Sequence, residues 1–174
     1  MNSVNDAAAT QDVYGRYAQW LARLANDGAA MAVLRRSLAH EPGDFPPAFP
    51  YIEPLVPKDS HASKRQSLYL VAGLFSRSKK TASQSFATAF AKLFNATKGS
   101  DSVEKRFIAC LSADEGQVAH LLRTAAALLA SKELYFDHAQ LARDTAILLN
   151  PNFDKERVRA RWAQDFYASA AARK

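Results

Sequence analysis

The stretch Asp154–Tyr167, DKERVRARWAQDFY, carries the pattern from which the fold class follows. At about 100° per residue, Val158, Trp162 and Phe166 fall within one arc, and Arg157, Arg161 and Asp165 form a stripe beside it. Such a segment is an amphipathic helix, with one face for packing and one for solvent or a partner. Asp154 stands where an N-cap belongs, its carboxylate placed to accept from the free N–H groups of the first turn. Arg161 and Asp165 are spaced to pair at i,i+4. Arg159 is the exception, because the same geometry lays it on the apolar arc beside Phe166. It must snorkel or pair with a carboxylate from another element, and Asp144 is the expected one.

The same three- and four-residue recurrence continues upstream. Val13, Tyr17, Trp20, Leu21 and Leu24 mark a core-facing helix capped by Thr10 or Asp12, and Asn26-Asp27-Gly28 breaks it. Asp27 then caps a second helix with Met31, Leu34 and Leu38 inward and Arg35 and Arg36 on its outer part. Six of the seven prolines lie in EPGDFPPAFPYIEPLVP, residues 41–57, which excludes a long helix and predicts an ordered strap with a short helix over Pro47–Leu55. Its aromatics, Phe49 and Tyr51 among them, read as packing residues in preference to stacking platforms for bases.

Ser60 or Ser63 opens a helix with Leu68, Val71, Ala72 and Phe75 on one side, followed by a flexible basic loop, Ser76–Lys80. Phe86, Ala89, Phe90, Leu93 and Phe94 define the next helix. A polar turn over Asn95–Ser102 leads to Asp101 and Glu104, which have the spacing of a capping box ahead of Val103, Phe107, Cys110 and Leu111. Asp114 caps a helix burying Val118, Leu121, Leu122, Ala125, Leu128 and Leu129, and Asp137 caps one burying Leu141, Thr145 and Leu148 that ends at Asn150-Pro151. No stretch alternates with the strand period and none repeats. The expectation is an all-α, compact bundle of eight or nine helices forming one domain over residues 1–174, with a division into two small subdomains near 95–101 left open.

Composition narrows the function classes. With 174 residues, 48% hydrophobic and 23% charged, the chain has the balance of a soluble globular domain, and its apolar runs are too short and interrupted to span a membrane. The N-terminal MNSVNDAAATQD lacks a basic and an apolar segment of the kind that directs export, so a cytoplasmic protein is expected. The lone Cys110 sits among apolar neighbours and reads as a buried, inert thiol. His40, His61, His120 and His138 are scattered without metal-ligand spacing, and there is neither a glycine-rich phosphate loop nor a nucleophile elbow. No catalytic residue, metal or cofactor is assigned, and a non-enzymatic protein is expected.

The net charge of +6 is concentrated. Residues 60–100 hold seven lysines and arginines and no acidic residue, while the rest of the chain holds sixteen basic and seventeen acidic residues. A local positive field of this kind draws a polyanion, the bland alternative being a solvated basic surface. Lys64 and Arg65 stand in the first turn of a helix, where the dipole disfavours cations, which hints that they serve a partner. On charge placement alone, Lys64, Arg65, Arg77, Lys79 and Lys80 are candidate phosphate contacts.

Several segments, in order, resemble the CasB family, the small subunit of the type I-E CRISPR surveillance complex called Cascade. They are Ala32-Val-Leu-Arg-Arg-Ser-Leu38, the FPYIEP of Phe49–Pro54, Ser102-Val-Glu-Lys-Arg-Phe107, His120-Leu-Leu-Arg123, Gln140-Leu-Ala-Arg-Asp144 and the VRARWAQDFY quoted above. The chain departs from the family pattern at Lys105, where a second arginine is expected, and over Ile147–Asn150, where an aromatic residue is expected and absent. A phosphate contact tolerates lysine for arginine better than a bidentate base contact does.

The resemblance implies a non-catalytic helical subunit, paired with a second copy of itself and held among other Cascade subunits in antiviral defence. There it would steady the guide RNA, the target DNA and the displaced strand without reading sequence. Residue by residue it points to Arg35, Arg36, Lys105, Arg106, Arg123 and Arg143 as phosphate-facing, with Arg157 and Arg161 as secondary choices. Two other readings compete: a helix-turn-helix regulator that reads duplex DNA, and a helical adaptor whose basic block docks an acidic protein.

Overall fold

Residues Ala62–Ser78 form a helix buried on all its faces from Ser67 to Ser76, and the other elements are arranged around it. It belongs to a computed structural model that describes the backbone of residues 3–172 and the side chains of residues 13–172. All regular structure among the described residues is helical. In chain order the α-helices are α1 (Ser3–Leu24), α2 (Gly28–Ser37), α3 (Phe49–Ile52), α4 (Ala62–Ser78), α5 (Phe86–Ala96), α6 (Asp101–Ser112), α7 (Glu115–Ser131), α8 (His138–Leu148) and α9 (Glu156–Ala171). The all-α bundle read from periodicity is therefore the observed architecture.

A one-sided α4 was expected, and the structure corrects this. Ser67 and Ser76 are buried because each hydroxyl satisfies itself within the helix: Ser67 Oγ donates to Lys64 O (2.8 Å) and Ser76 Oγ to Gly73 O (2.6 Å). Helices α2, α7 and α8 all pack on α4. The approach of α2 depends on Gly73, where a Cβ would stand 2.5 Å from Leu38 Cδ2 and 3.2 Å from Leu34 O. The expected basic loop over Ser76–Lys80 begins as helix. Ser76–Ser78 complete the last turn and Lys79 closes it in the left-handed region (φ 57°), its N–H donating to Phe75 O.

Proline spacing places the strap correctly. A 3₁₀ turn at Pro46–Ala48, α3, and a second 3₁₀ turn at Glu53–Leu55 make one short run over the predicted segment. Trp20, expected in the core, is only half-buried. Its Nε1 donates to Tyr51 O (2.6 Å) and holds the strap against α1.

Asp27, Asp114 and Asp137 cap α2, α7 and α8 as expected, each accepting a backbone N–H three residues on. Elsewhere the caps differ. Helix α1 reaches back to Ser3, so Thr10 and Asp12 lie inside it. His61 caps α4 in place of Ser60 or Ser63, its Nδ1 accepting from Ser63 N (3.1 Å). Asp101 is already in the first turn of α6, whose cap position is Ser100, and Glu104 turns outward to accept from Tyr167 O–H (2.8 Å), so no capping box forms. Asp154 lies one residue before the cap position yet still accepts from Glu156 N (2.9 Å).

The closing helix packs through the predicted face. Val158, Trp162 and Phe166 are buried, Phe166 stacking on Phe107 (centroids 4.2 Å, 11°) and Trp162 meeting Phe86 (5.2 Å). Its polar partners were misassigned. Arg161 pairs with Asp144 on α8, not with Asp165, and Trp162 Nε1 donates to the other Asp144 oxygen (2.8 Å). Arg159 instead reaches Glu156 (2.8 Å) and Ala113 O (3.1 Å). Residues 161 and 162 are adjacent, so once Trp162 is seated on Asp144 its neighbour reaches the same carboxylate, whereas Arg159 points toward the α6–α7 connection.

Three stability effects are expected. Gly73→Val should overpack the α2–α4 crossing and lower unfolding free energy by about 1–3 kcal/mol in urea titration. Asp144→Ala strands the buried Trp162 N–H and frees the half-exposed Arg161 guanidinium and should cost about 1–3 kcal/mol, and a loss within error of zero would refute its structural role.

The third effect concerns His138, which is 3% exposed between Phe75 and Phe136. Burial lowers its pKa from 6.5 to about 4. Only the unfolded chain then takes up a proton readily, so stability present above pH 6.5 is lost as pH falls toward 4, by about 3 kcal/mol. Thermal melts of His138→Phe should show a shallower decline across that window.

Candidate nucleic-acid interface

Helix α4 separates the cations of the acid-free block. Lys64 and Arg65 ride on its first turn and Arg77 on its last, thirteen residues and about 20 Å away at 1.5 Å per residue. Five of the block's seven cations are therefore divided between the two ends of the central helix, and the other two, Lys92 and Lys98, lie on and just after α5.

At the first end, Arg65 is engaged by the protein itself. Its Nε donates to Glu53 Oε1 (2.7 Å), its Nη1 to Gly43 O (3.2 Å), and its Nη2 closes an ion pair with Glu53. The guanidinium lies over the rings of Phe49 (5.3 Å) and Tyr69 (4.8 Å), a cation–π clamp. Tyr69 O–H donates to the same Glu53 oxygen (2.9 Å). Burial alone would raise the Glu53 carboxyl, but the hydrogen bonds from Arg65 and Tyr69 outweigh it and hold the group below its usual range. Arg65 thus ties the proline strap to α4, and the first-turn position that hinted at a partner is explained by a partner inside the fold.

At the other end, the structure gathers cations from two helices. Arg35 of α2 donates through Nη2 to Ser76 O (3.0 Å), covering a carbonyl in the last turn of α4, and so sits beside Arg77 and Lys79. Arg36 follows on α2, and Lys80 lies over the ring of Tyr135 (5.3 Å). Arg36, Arg77, Lys79 and Lys80 are all exposed. A cation in the last turn of a helix is favoured by its dipole, so this end accumulates charge without local penalty.

The remaining candidates are spread over other faces. Lys105 and Arg106 are exposed together on α6, along a shallow surface with Asp101, Ser102 and Ala109. Arg143 is exposed on α8 with its guanidinium over Tyr14 (5.1 Å). Arg157 is exposed on α9. Arg123, half-buried on α7, donates to His40 O (2.6 Å), where the His40 ring stacks on Phe45 (4.6 Å). Arg161 is committed to Asp144, whose carboxyl is pushed up by burial and pulled back in part by the Arg161 and Trp162 hydrogen bonds.

The predicted site residues therefore fall into three groups, of which Lys80 and Arg143, each exposed and over a tyrosine ring, are one. Arg35, Arg65, Arg123 and Arg161 bridge elements of the fold. Arg36, Lys64, Arg77, Lys79, Lys105, Arg106 and Arg157 have no side-chain hydrogen bond or ion pair among the described residues. Lys92 and Lys98, also exposed, are missing from the predicted set, although membership in the acid-free block was signal enough to include them. Among the described residues no group of histidine, cysteine, aspartate or glutamate is placed to hold a metal ion, and no helix is long and apolar enough to cross a membrane.

Comparison with known proteins agrees with the motif reading. Residues 30–167 match the family described as CRISPR-associated protein Cse2. A CRISPR-associated protein Cse2 of Thermus thermophilus is 40% identical over 161 residues, covering 90% of this chain and 91% of that one. The crystal structure of CasB from Thermus thermophilus superposes with a TM-score of 0.77 at 38% identity, covering 89% of this chain and 97% of that one. A chain of a structure named CRISPR RNA-guided surveillance complex shares the fold, with a TM-score of 0.80 at 22% identity over 94% of this chain and 96% of that one. The chain belongs to the Cse2 family of CRISPR-associated proteins.

Proposed function

We propose that this protein is a non-catalytic, nucleic-acid-binding subunit of a CRISPR RNA-guided surveillance complex, acting in the cytoplasm alongside other Cascade subunits and a second copy of itself. The observation that carries the reading is the set of exposed cations with no side-chain hydrogen bond or ion pair among the described residues in a chain of this family: Arg77 and Lys79 at the end of α4, Arg36 on α2, and Lys105 with Arg106 on α6. Lys64, Arg143 and Arg157 extend the same surface charge. The fold shared with a chain of an RNA-guided surveillance complex supports the assignment.

The chemistry suits sequence-blind binding. In an RNA-guided complex the guide reads sequence by base pairing, so a small subunit need only neutralise phosphates of guide RNA, target DNA and displaced strand and hold their shape. Lysines and arginines on separate helix faces do this by releasing condensed counterions, without a recognition helix aimed at base edges. Arg35 and Arg123 each spend one donor internally and keep others for a phosphate, because a guanidinium carries five N–H groups. Arg65 and Arg161 are assigned to the fold.

The isolated protein should bind single-stranded DNA in low salt, with log affinity falling linearly as log salt rises, at about 0.7 per phosphate contacted. The double variant Lys105→Ala/Arg106→Ala should weaken binding and flatten that slope by about one to two contacts, measured by fluorescence polarisation across a salt series. Arg159→Ala should lower the melting temperature and leave the slope unchanged. Failure of the wild type to bind any nucleic acid in low salt would sink the reading for the free subunit.

A further inference from the structure

Three large hydrophobic side chains stand exposed among the described residues, Ile108, Phe153 and Tyr167, and two of them share one face. Helices α6 and α9 lie side by side and antiparallel. Arg159 Nη2 donates to Ala113 O (3.1 Å) at one end, Phe166 stacks on Phe107 beneath, and Tyr167 O–H donates to Glu104 Oε1 (2.8 Å) at the other. On α6 the outward positions at three- and four-residue spacing are Asp101, Glu104, Ile108 and Leu111. On α9 they are Glu156, Ala160, Ala163 and Tyr167. The two stripes border one seam, with Ile108 at 42% and Tyr167 at 45% exposure and two alanines that keep its floor low.

The charge of this face runs against that of the molecule. The chain carries a net +6, yet the two stripes hold three carboxylates and no lysine or arginine. Glu104 accepts from the neutral Tyr167 hydroxyl and keeps its charge, and Glu156 pairs with Arg159 while its side chain stays 76% exposed. Asp101 marks the border with Lys105 and Arg106, which lie farther round α6 beside Ser102 and Ala109. Such a face repels phosphates, and its complement is an apolar surface flanked by cations.

Size narrows the occupant. Two neighbouring helices, the shorter of twelve residues, present about 18 Å by about 20 Å, roughly 400 Å², at ~1.5 Å per residue and ~10 Å per helix. Stable complexes bury about 800 Å² per partner, so this face alone does not hold two copies of the chain together in solution. A groove between two helices takes the apolar stripe of a third, and a contact of that area serves a partner already held nearby by other contacts.

We propose that the α6–α9 face docks an amphipathic helix of a different protein subunit, its apolar stripe along Ile108 and Tyr167 and its lysines or arginines against Glu104 and Glu156. The inference rests on the reading of the chain as a subunit of a ribonucleoprotein and assigns the protein contact to a face separate from the exposed cations.

The test is made on the complex purified from the source cells through a tag on this chain. Photocrosslinking from Ile108→p-benzoylphenylalanine, with mass spectrometry of the adduct, should join this position to a peptide of a different subunit that carries apolar residues at three- and four-residue spacing beside lysine or arginine. Ile108→Glu, and separately Ala163→Glu, should lower recovery of the other protein subunits roughly tenfold, the loss that follows disruption of a contact central to an interface. The melting temperature of each isolated variant and the salt slope of its binding to single-stranded DNA should stay at the wild-type values. Adducts to nucleic acid or to a second copy overturn the docking face, as does the absence of any adduct. Full recovery of the complex with both glutamate variants overturns it as well, and leaves the wider reading standing. If the wild-type chain is recovered without nucleic acid or other subunits, the wider reading falls and the docking face with it.

Discussion

A buried carboxylate governs how the last third of the chain is assembled. Asp144, 3% exposed on α8, is held by the guanidinium of Arg161 and the indole N–H of Trp162, both from α9. Taking a carboxylate out of water is costly unless its lone pairs are occupied, and the adjacent residues of one helix occupy both oxygens. That double attachment sets the rotation of α9 about its own axis. With Trp162 seated on Asp144, Val158 and Phe166 must face inward, and Phe166 comes to rest on Phe107 while Trp162 meets Phe86. The aromatic interior joining α5, α6 and α9 depends on one ionic contact made at its edge.

The same contact has a consequence for the surface. It withdraws Arg161 from the solvent face of a helix that otherwise looks basic, just as Glu53 withdraws Arg65 and Ser76 O engages Arg35. In each case a guanidinium spans two elements, a task lysine performs poorly because it lacks the planar fork. The cations left unpartnered include most of the lysines among the candidates. Burial of α4 on every side then sorts them in space, because a helix with no exposed flank can carry charge only at its ends. The acid-free block, continuous in sequence, becomes a strap anchor at one end of α4 and a cluster of exposed cations at the other, with Lys92 and Lys98 apart from both on and after α5.

Much of this architecture was legible in the chain. Apolar recurrence placed the helices, aspartates before helical runs marked the caps of α2, α7 and α8, and the prolines fixed the short strap. The ordered motifs identified the family. What could not be read was determined by contacts between distant segments. Burial of α4 beyond its apolar face was hidden, because nothing in a sequence shows that the hydroxyls of Ser67 and Ser76 will bond back into their own helix. Asp144 had two arginine suitors on α9, and the choice of Arg161 over Arg159 depends on where Trp162 is seated. Arg65 looked like a partner-facing cation because Glu53 is twelve residues away, in a segment whose path is set by prolines. Net charge identified a basic protein; only geometry separates cations that hold the fold from cations that face outward.

The central claim is that division of the arginines, and side-chain NMR tests it most directly. The Nε–H signals of arginine report each guanidinium separately as a single-stranded oligonucleotide is added in low salt. The account predicts that the signals of Arg36, Arg77 and Arg106 shift with added DNA while those of Arg65 and Arg161 stay in place. Shifts at Arg65 and Arg161 with none at the exposed three would contradict it.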